Sequence, residues 1–587
     1  MRAHTSTGGE ALPEEPDLFL RWLTHPSRSR GIHFYESGRW TFHSYAGIAA
    51  TARALAARIG AVHPEGDPVR IAVFSEHTPS VLAGFGAAWL LGGAAHVLPQ
   101  PLTFQRWPRF VAQIEHMNRL TGCRYLVHDA GGGEVADRLV RSLSGDLWLL
   151  PVEPTPAEAG TGPFPEAEAA ARAWNTRDAA VYQFTSGSTG APKLIEVSAG
   201  NLCANLVGMR HWLDWRPGTD GWASWLPLHH DMGLVGGMFV PATHASDLWS
   251  IPPGEFLRRP ETWLEALSGG RATVTAGPPF GYSYAAKRVG ELPPGTDLGS
   301  WRIACIAAEV VTEEVLDLFT ARFETSGYSP LTWCPAYGLA ESTLCVTAVD
   351  PTTPTRIARV AEDAPFRIGE PVPLLGVDEF GAPATAAGRP ITGCGTPIGG
   401  TSVEIVDRDG EALPDGHFGE IVIRGMSVAS VHGSSGSGGR VEQEDRFHVS
   451  GDGGFRVGDE LYVVGRLGDG VKVRGEFVDC EGLEQRLASA AGVAPGRAAL
   501  ALGQVGDRIQ AVLLLRSDDP SPEAVARAEA VVRAALGGGA ELLVRPVEAG
   551  EIPKTSSGKV QRRRIWHRWS TLAASEQGGT GNADATD

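Results

Sequence analysis

The sequence predicts an α/β fold with a large N-terminal domain and a small C-terminal one. Three observations carry this. At 587 residues the chain is too long for a single hydrophobic core. Short apolar runs alternate with helical patterns up to about Val346, as expected of a parallel sheet with crossover helices. The alternation then gives way to turn-rich strands and restarts as a smaller α/β unit near Asp469 and Gly470.

Residues 16–60 read as a helical start, a short strand pair and a helix whose apolar stripe runs through ATARALAARIG. VRIAVFS (69–75) is a buried-strand pattern, followed by the small-residue helix VLAGFGAAWLLGGA and the strand AHVLP. RYLVHD (124–129) and LWLLPVE (147–153) repeat it, and residues 154–172 form a Pro, Ala and Glu-rich linker. Strands and helices resume from Ala179. Residues 347–392 are rich in Pro, Thr and Ala and weakly periodic. SVEIVD (402–407), GEIVIRG (419–425) and LYVVGR (461–466) are strand patterns, with HGSSGSGGR (432–440) expected to be a flexible loop. The small unit runs from 468 to about 570, and the polar residues 571–587 are expected to be disordered.

Composition narrows the function classes. A formal charge of -17 disfavours non-specific nucleic-acid binding, which needs basic surface to displace counterions. No run of about 18 apolar residues predicts a membrane span, and the N-terminus lacks the apolar core of a signal peptide. Seven scattered cysteines without a CxxC pair fit a reducing cytoplasm better than a disulfide framework or zinc site. Of 51 basic residues only five are lysine, so a retained lysine marks a place where a compact, mobile ammonium is needed.

VYQFTSGSTGAPKLIEVS (181–198) is the most informative stretch. A strand runs into Thr185, Ser186, Gly187, Ser188, Thr189 and Gly190 and closes on Lys193. Glycines let backbone N–H groups converge on an anion, hydroxyls add donors, and the lysine adds charge. The loop is not the GxxxxGK[ST] type, because Lys193 follows Pro192.

This stretch resembles the signature loop of the adenylate-forming superfamily of acyl-CoA synthetases, luciferases and peptide-synthetase adenylation domains. Further segments resemble that family in the same order. They are CPAYGLAESTL (334–344), SGDGGFRVGDELYVVGRLGDG (450–470) and EIPKTSSGKVQRR (551–563). The resemblance implies stacked α/β sheets and a barrel-like subdomain in the large domain (1–467), with a small mobile domain (468–570) behind a hinge at Asp469. It implies that the hydroxyl loop holds the β- and γ-phosphates of ATP and that Tyr337, beside Gly338, stacks on adenine. Glu341 would ligate Mg²⁺, and Glu309 would lie in the nucleotide site. Asp452 would accept hydrogen bonds from the ribose hydroxyls with Arg466 assisting. Lys559 would contact the substrate carboxylate and the α-phosphate.

WLPLHHDMGLVGG (225–237), FLRRPETWLEAL (256–267) and TAGPPFGYSYAAKR (275–288) resemble the fatty acyl-AMP ligase branch. That branch carries an insertion, here near 347–392, which restrains domain rotation. His230 would lie near the substrate carboxylate. His229 stands where the branch has Tyr, and Val310 where it has Pro. The implied reaction joins a carboxylic, fatty-type acid to AMP, releases pyrophosphate and hands the acyl group to the phosphopantetheine thiol of an acyl carrier protein. An acyl-CoA synthetase, an amino-acid-activating domain and a non-catalytic nucleotide binder are the alternatives.

Overall fold

The computed structural model describes residues 15, 17–101, 107–129, 133–143, 147–152, 174–186, 192–362, 366–432, 446–467, 471–473, 476–478, 480–493, 497–505, 508–516, 521–536, 540–548, 550–554, 560–562, 564–566 and 568–569. Two large sheets organise the first part. A seven-stranded sheet has the order Ser430–His432, Pro192–Ser198, Ala179–Ser186, Ala94–Val97, Arg70–Phe74, Tyr125–Asp129, Trp148–Val152. A nine-stranded sheet runs from Thr396–Pro397 through Cys345–Ala348, Trp333–Gly338, Ile303–Ile306, Val274–Gly277, Trp222–Ser224 and Leu248–Ser250 to the hairpin Gly31–Glu36/Arg39–Ser44. Neighbours from Trp333–Gly338 to Gly31–Glu36 are parallel, as the strand–helix alternation predicts.

One core joins both sheets. The helix Pro79–Leu90 is buried at every residue but its last, because PSVLAGFGAAWL is apolar on all sides. Thr78 caps it, and Pro79 takes the first turn, where a missing N–H costs nothing. Gly86 lets it approach its neighbours: a Cβ there would lie 2.8 Å from both Ala52 and Trp22. Across the core, Trp263 is fully buried, edge-on to Tyr282 and Trp301, with its Nε1 donating to Thr275 Oγ1 at 3.2 Å. Trp263→Ala removes this packing and should cost about 3–5 kcal/mol, read as a lower urea midpoint for the large unit.

The weakly periodic stretch contains three strands. Leu374–Glu379, Arg356–Val360 and Arg389–Thr392 form an antiparallel sheet. Its residues Ala358, Val360 and Phe366 share a core with Phe418, Phe455 and Tyr462 of a four-stranded sheet, Thr401–Val406, Gly419–Gly425, Phe447–Val457 and Glu460–Arg466. Arg359 bolts this unit to the helix Glu313–Phe323. Its guanidinium holds Glu313 through two bonds of 2.6 and 2.7 Å and Asp378 at 2.7 Å. His432, read as the start of a flexible loop, is instead the last residue of a strand pairing with Pro192–Ser198. Residues 433–445, the expected hinge Asp469 and the tail 571–587 lie outside the described residues.

The small unit has the predicted α/β character. The strands Ala498–Val505, Arg508–Leu515 and Glu541–Pro546 form one sheet, with the helices Cys480–Ala490 and Pro522–Leu536 packed on one face. Among the described residues no helix is long and apolar enough to cross a membrane. The seven cysteines are buried thiols.

Candidate active site

The carboxyl ends of parallel strands lead to several of the candidate residues, as the topology of open α/β sheets favours. The hairpin Ala179–Ser186/Pro192–Ser198 brings Thr185 opposite Lys193 in register. The loop tip, with Gly187, Ser188, Thr189 and Gly190, lies outside the described residues, as does the Ser186 side chain. In the nine-stranded sheet, Trp222–Ser224 leads to His230, Ile303–Ile306 to Glu309 and Trp333–Gly338 to Glu341. Glu309 follows Ala308, a non-glycine residue at φ 75°.

Glu341 sits on an over-determined turn. A Cβ on Gly338 would collide with the Leu344 carbonyl, so the strand can close only on glycine. Thr343 adopts φ 69°, ψ -58°, and Leu344 N–H donates to Ser342 C=O at 2.8 Å, which defines a strained γ-turn. The segment after strand Gly419–Gly425 holds this conformation. Thr343 Oγ1 donates to Ser427 C=O at 2.7 Å, and Ala429 N–H donates to Glu341 C=O at 2.8 Å. Asn201 Nδ2 in turn donates to the carbonyls of Met426 and Val428, at 2.6 and 2.9 Å. Asn201 also completes a capping box with Ser198 at the helix Ala199–Trp212. The sequence reading missed this tether, although Ser198-x-x-Asn201 is a legible capping signal. Glu341 is thus fixed through its main chain, and among the described residues no hydrogen bond engages its carboxylate. A hard, partly buried oxygen donor of this kind suits Mg²⁺.

Tyr337, Asp452 and Arg466 meet. Tyr337 Oη donates to Asp452 Oδ2 at 2.7 Å, and Arg466 Nε lies 2.9 Å from Asp452 Oδ1. Asp452 and Arg466 are Cα partners on adjacent strands. Burial, and then the Asp452 charge, push the Tyr337 hydroxyl well above its ordinary pKa, so it stays a donor. Each Asp452 oxygen has a second lone pair, which leaves capacity for ribose hydroxyls.

His230 precedes a π-helix, Met232–Phe239, a geometry frequent at functional sites. Its Nδ1 lies 2.5 Å from Asp231 Oδ1, which also accepts the Met232 N–H at 2.7 Å. That pairing orients the ring and leaves Nε2 for another partner. Gly233 permits the turn, since a Cβ there would collide with the Pro227 carbonyl. Beside it, burial and then His230 push the His229 imidazole down to about 4, so it is neutral.

Lys559 lies outside the described residues, but the base of its loop does not. Lys554 and Val560 form an antiparallel bridge, and Gln561 N–H donates to Pro553 C=O at 2.8 Å. Arg562 pairs with Glu484 at 3.0 Å, and the same Glu484 oxygen accepts the Leu500 N–H at 2.7 Å. Burial raises the Glu484 pKa, and Arg562 opposes that shift.

Residues 24–431 match the family model of AMP-binding enzymes. The chain belongs to the AMP-binding enzyme family. Like that family, it is an adenylate-forming ligase that activates an acid with ATP. This AMP-binding enzyme is 27% identical over 585 residues to a putative acyl-CoA synthetase of Caulobacter vibrioides, covering 94% of this chain and 96% of the relative. It is 32% identical over 418 residues to the medium-chain-fatty-acid–[acyl-carrier-protein] ligase JamA of Moorena producens, covering 66% of this chain and 67% of that protein. In fold it matches a structure from a study of fatty acyl-adenylate ligases of E. coli and L. pneumophila. The TM-score is 0.78 at 24% identity, over 95% of this chain and 98% of the other.

Proposed function

We propose that this enzyme joins a fatty-type carboxylic acid to AMP, releases pyrophosphate and transfers the acyl group to the phosphopantetheine thiol of an acyl carrier protein. The observation that carries the adenylation step is the meeting of Tyr337, Asp452 and Arg466 beside the tethered Glu341 turn. Two anions must meet in this reaction, so the site has to neutralise charge. Thr185, Ser186, Ser188, Thr189 and Lys193 hold the leaving phosphates, with Gly187 and Gly190 opening the loop backbone. Glu341 would hold Mg²⁺, which would supply positive charge toward the phosphates. Tyr337 and Gly338 bound the adenine, Asp452 and Arg466 bind the ribose, and Glu309 borders the nucleotide. His230, oriented by Asp231, faces the substrate carboxylate, and Lys559 stabilises charge on the attacking oxygen and α-phosphate. Rotation about Asp469 then withdraws Lys559 and opens a path for the thiol.

Relatives named as ligases to acyl carrier protein support the acceptor. A second reading, transfer to CoA, is favoured by the Caulobacter relative that spans nearly the whole chain. Supplying CoA and carrier protein separately, and following thioester formation, tests the choice. Thioester on the carrier protein alone is expected. Thioester on CoA alone would replace the proposed acceptor.

A further inference from the structure

His448 lies on the strand Phe447–Val457 that also carries Asp452, and no sequence motif singles it out. It pairs with Ile423 across adjacent antiparallel strands, so the two side chains share a sheet face. Ile423 packs with Tyr337, Leu339 and Val428, which turns this face toward the adenylate-binding segment. On either side of His448, Phe447 and Val449 are exposed at 46% and 47%, pointing away from that face. Two residues beyond Ile423 begins the segment 425–429, which holds the Glu341 turn through Ser427 and Ala429. The same segment continues into Ser430–His432, the partner strand of Lys193's own strand. Four residues along from His448 is Asp452, bonded to Tyr337.

The geometry points to His448 as a further nucleotide-contacting residue, one that hydrogen-bonds the α-phosphate of the bound adenylate. This rests on the nucleotide reading of Glu341 and Asp452 given above. The α-phosphate joins the ribose to the remaining phosphates, so a side chain on the strand of Asp452, on the face that packs toward the Glu341 tether, is placed to meet that part of the ligand. Electrostatics agrees with the placement. Burial lowers the imidazole pKa, Glu341 and Asp452 pull it up, and Arg466 and Lys193 push it down. Above its lowered pKa the ring is neutral and keeps one N–H donor for a phosphate oxygen.

The test is calorimetric binding of ATP with Mg²⁺, of AMP and of adenosine to the full chain. His448→Leu and His448→Phe each remove the ring nitrogens, whereas His448→Gln keeps a donor. Both donor-less variants should bind ATP and AMP about tenfold more weakly, the loss of one hydrogen bond to a charged acceptor. Adenosine binding should stay within twofold, and His448→Gln should recover most of the loss. ATP and AMP affinities within twofold of wild type overturn the inference, as does an equal loss for adenosine. Wild-type protein that binds these nucleotides but releases no pyrophosphate with any acid would instead refute the proposed reaction, leaving the His448 comparison readable.

Discussion

Lys559→Ala should lower acid-dependent pyrophosphate release by about a hundred- to a thousandfold while leaving ATP binding nearly intact. The reasoning is electrostatic. A carboxylate approaching the α-phosphorus meets negative charge, and the barrier is lowest where a cation is already positioned for the charge that develops. The residues that flank the loop carrying Lys559 are fixed, by the Lys554–Val560 bridge and by Arg562 on Glu484. Arginine should not replace Lys559, because a planar fork fits a single bridging position poorly. A chain that keeps lysine at five of its 51 basic positions places two of them, Lys554 and Lys559, in this loop. Near-normal pyrophosphate release by Lys559→Ala, in single-turnover assays at saturating ATP, would remove Lys559 from the chemistry.

Glu341→Gln should produce a loss of about a hundredfold at limiting Mg²⁺, partly recovered as Mg²⁺ is raised. The substitution deletes one negative charge from the proposed Mg²⁺ site and keeps the side-chain shape. The fold should not change, because Glu341 is bound into the turn by its carbonyl to Ala429 N–H rather than by its carboxylate. Unaltered thermal midpoint with a shifted Mg²⁺ dependence is the expected signature. A Mg²⁺ titration identical to wild type would show that the metal is held elsewhere.

The parallel strands and the order of the motifs were legible because buried strands in α/β proteins are nearly continuous apolar runs. RIAVF, buried at every residue but its first, read that way directly. The 356–392 sheet was not legible for the converse reason. Leu374–Glu379 buries only Asp378 fully, and that residue is held by Arg359 and Thr385 rather than by apolar packing. Tyr337 and Asp452 could be nominated from their segments, but not their mutual hydrogen bond, which depends on residues 115 apart in sequence returning to one place. The γ-turn at Thr343 has no local signal, since a β-branched residue at positive φ contradicts its own propensity. His448 was invisible because its role depends on which face of a strand it occupies. A register irregularity opposite Glu420 to Val422 separates it from Asp452 along that strand.

The most direct measurement of the central claim is the mass of the product formed from ATP and a panel of carboxylic acids, with pyrophosphate counted in parallel. The account predicts an acyl-AMP and one pyrophosphate per adenylate formed, with fatty-type acids the best substrates. Nucleotide binding without acid-dependent pyrophosphate or adenylate, across the whole panel, would contradict it.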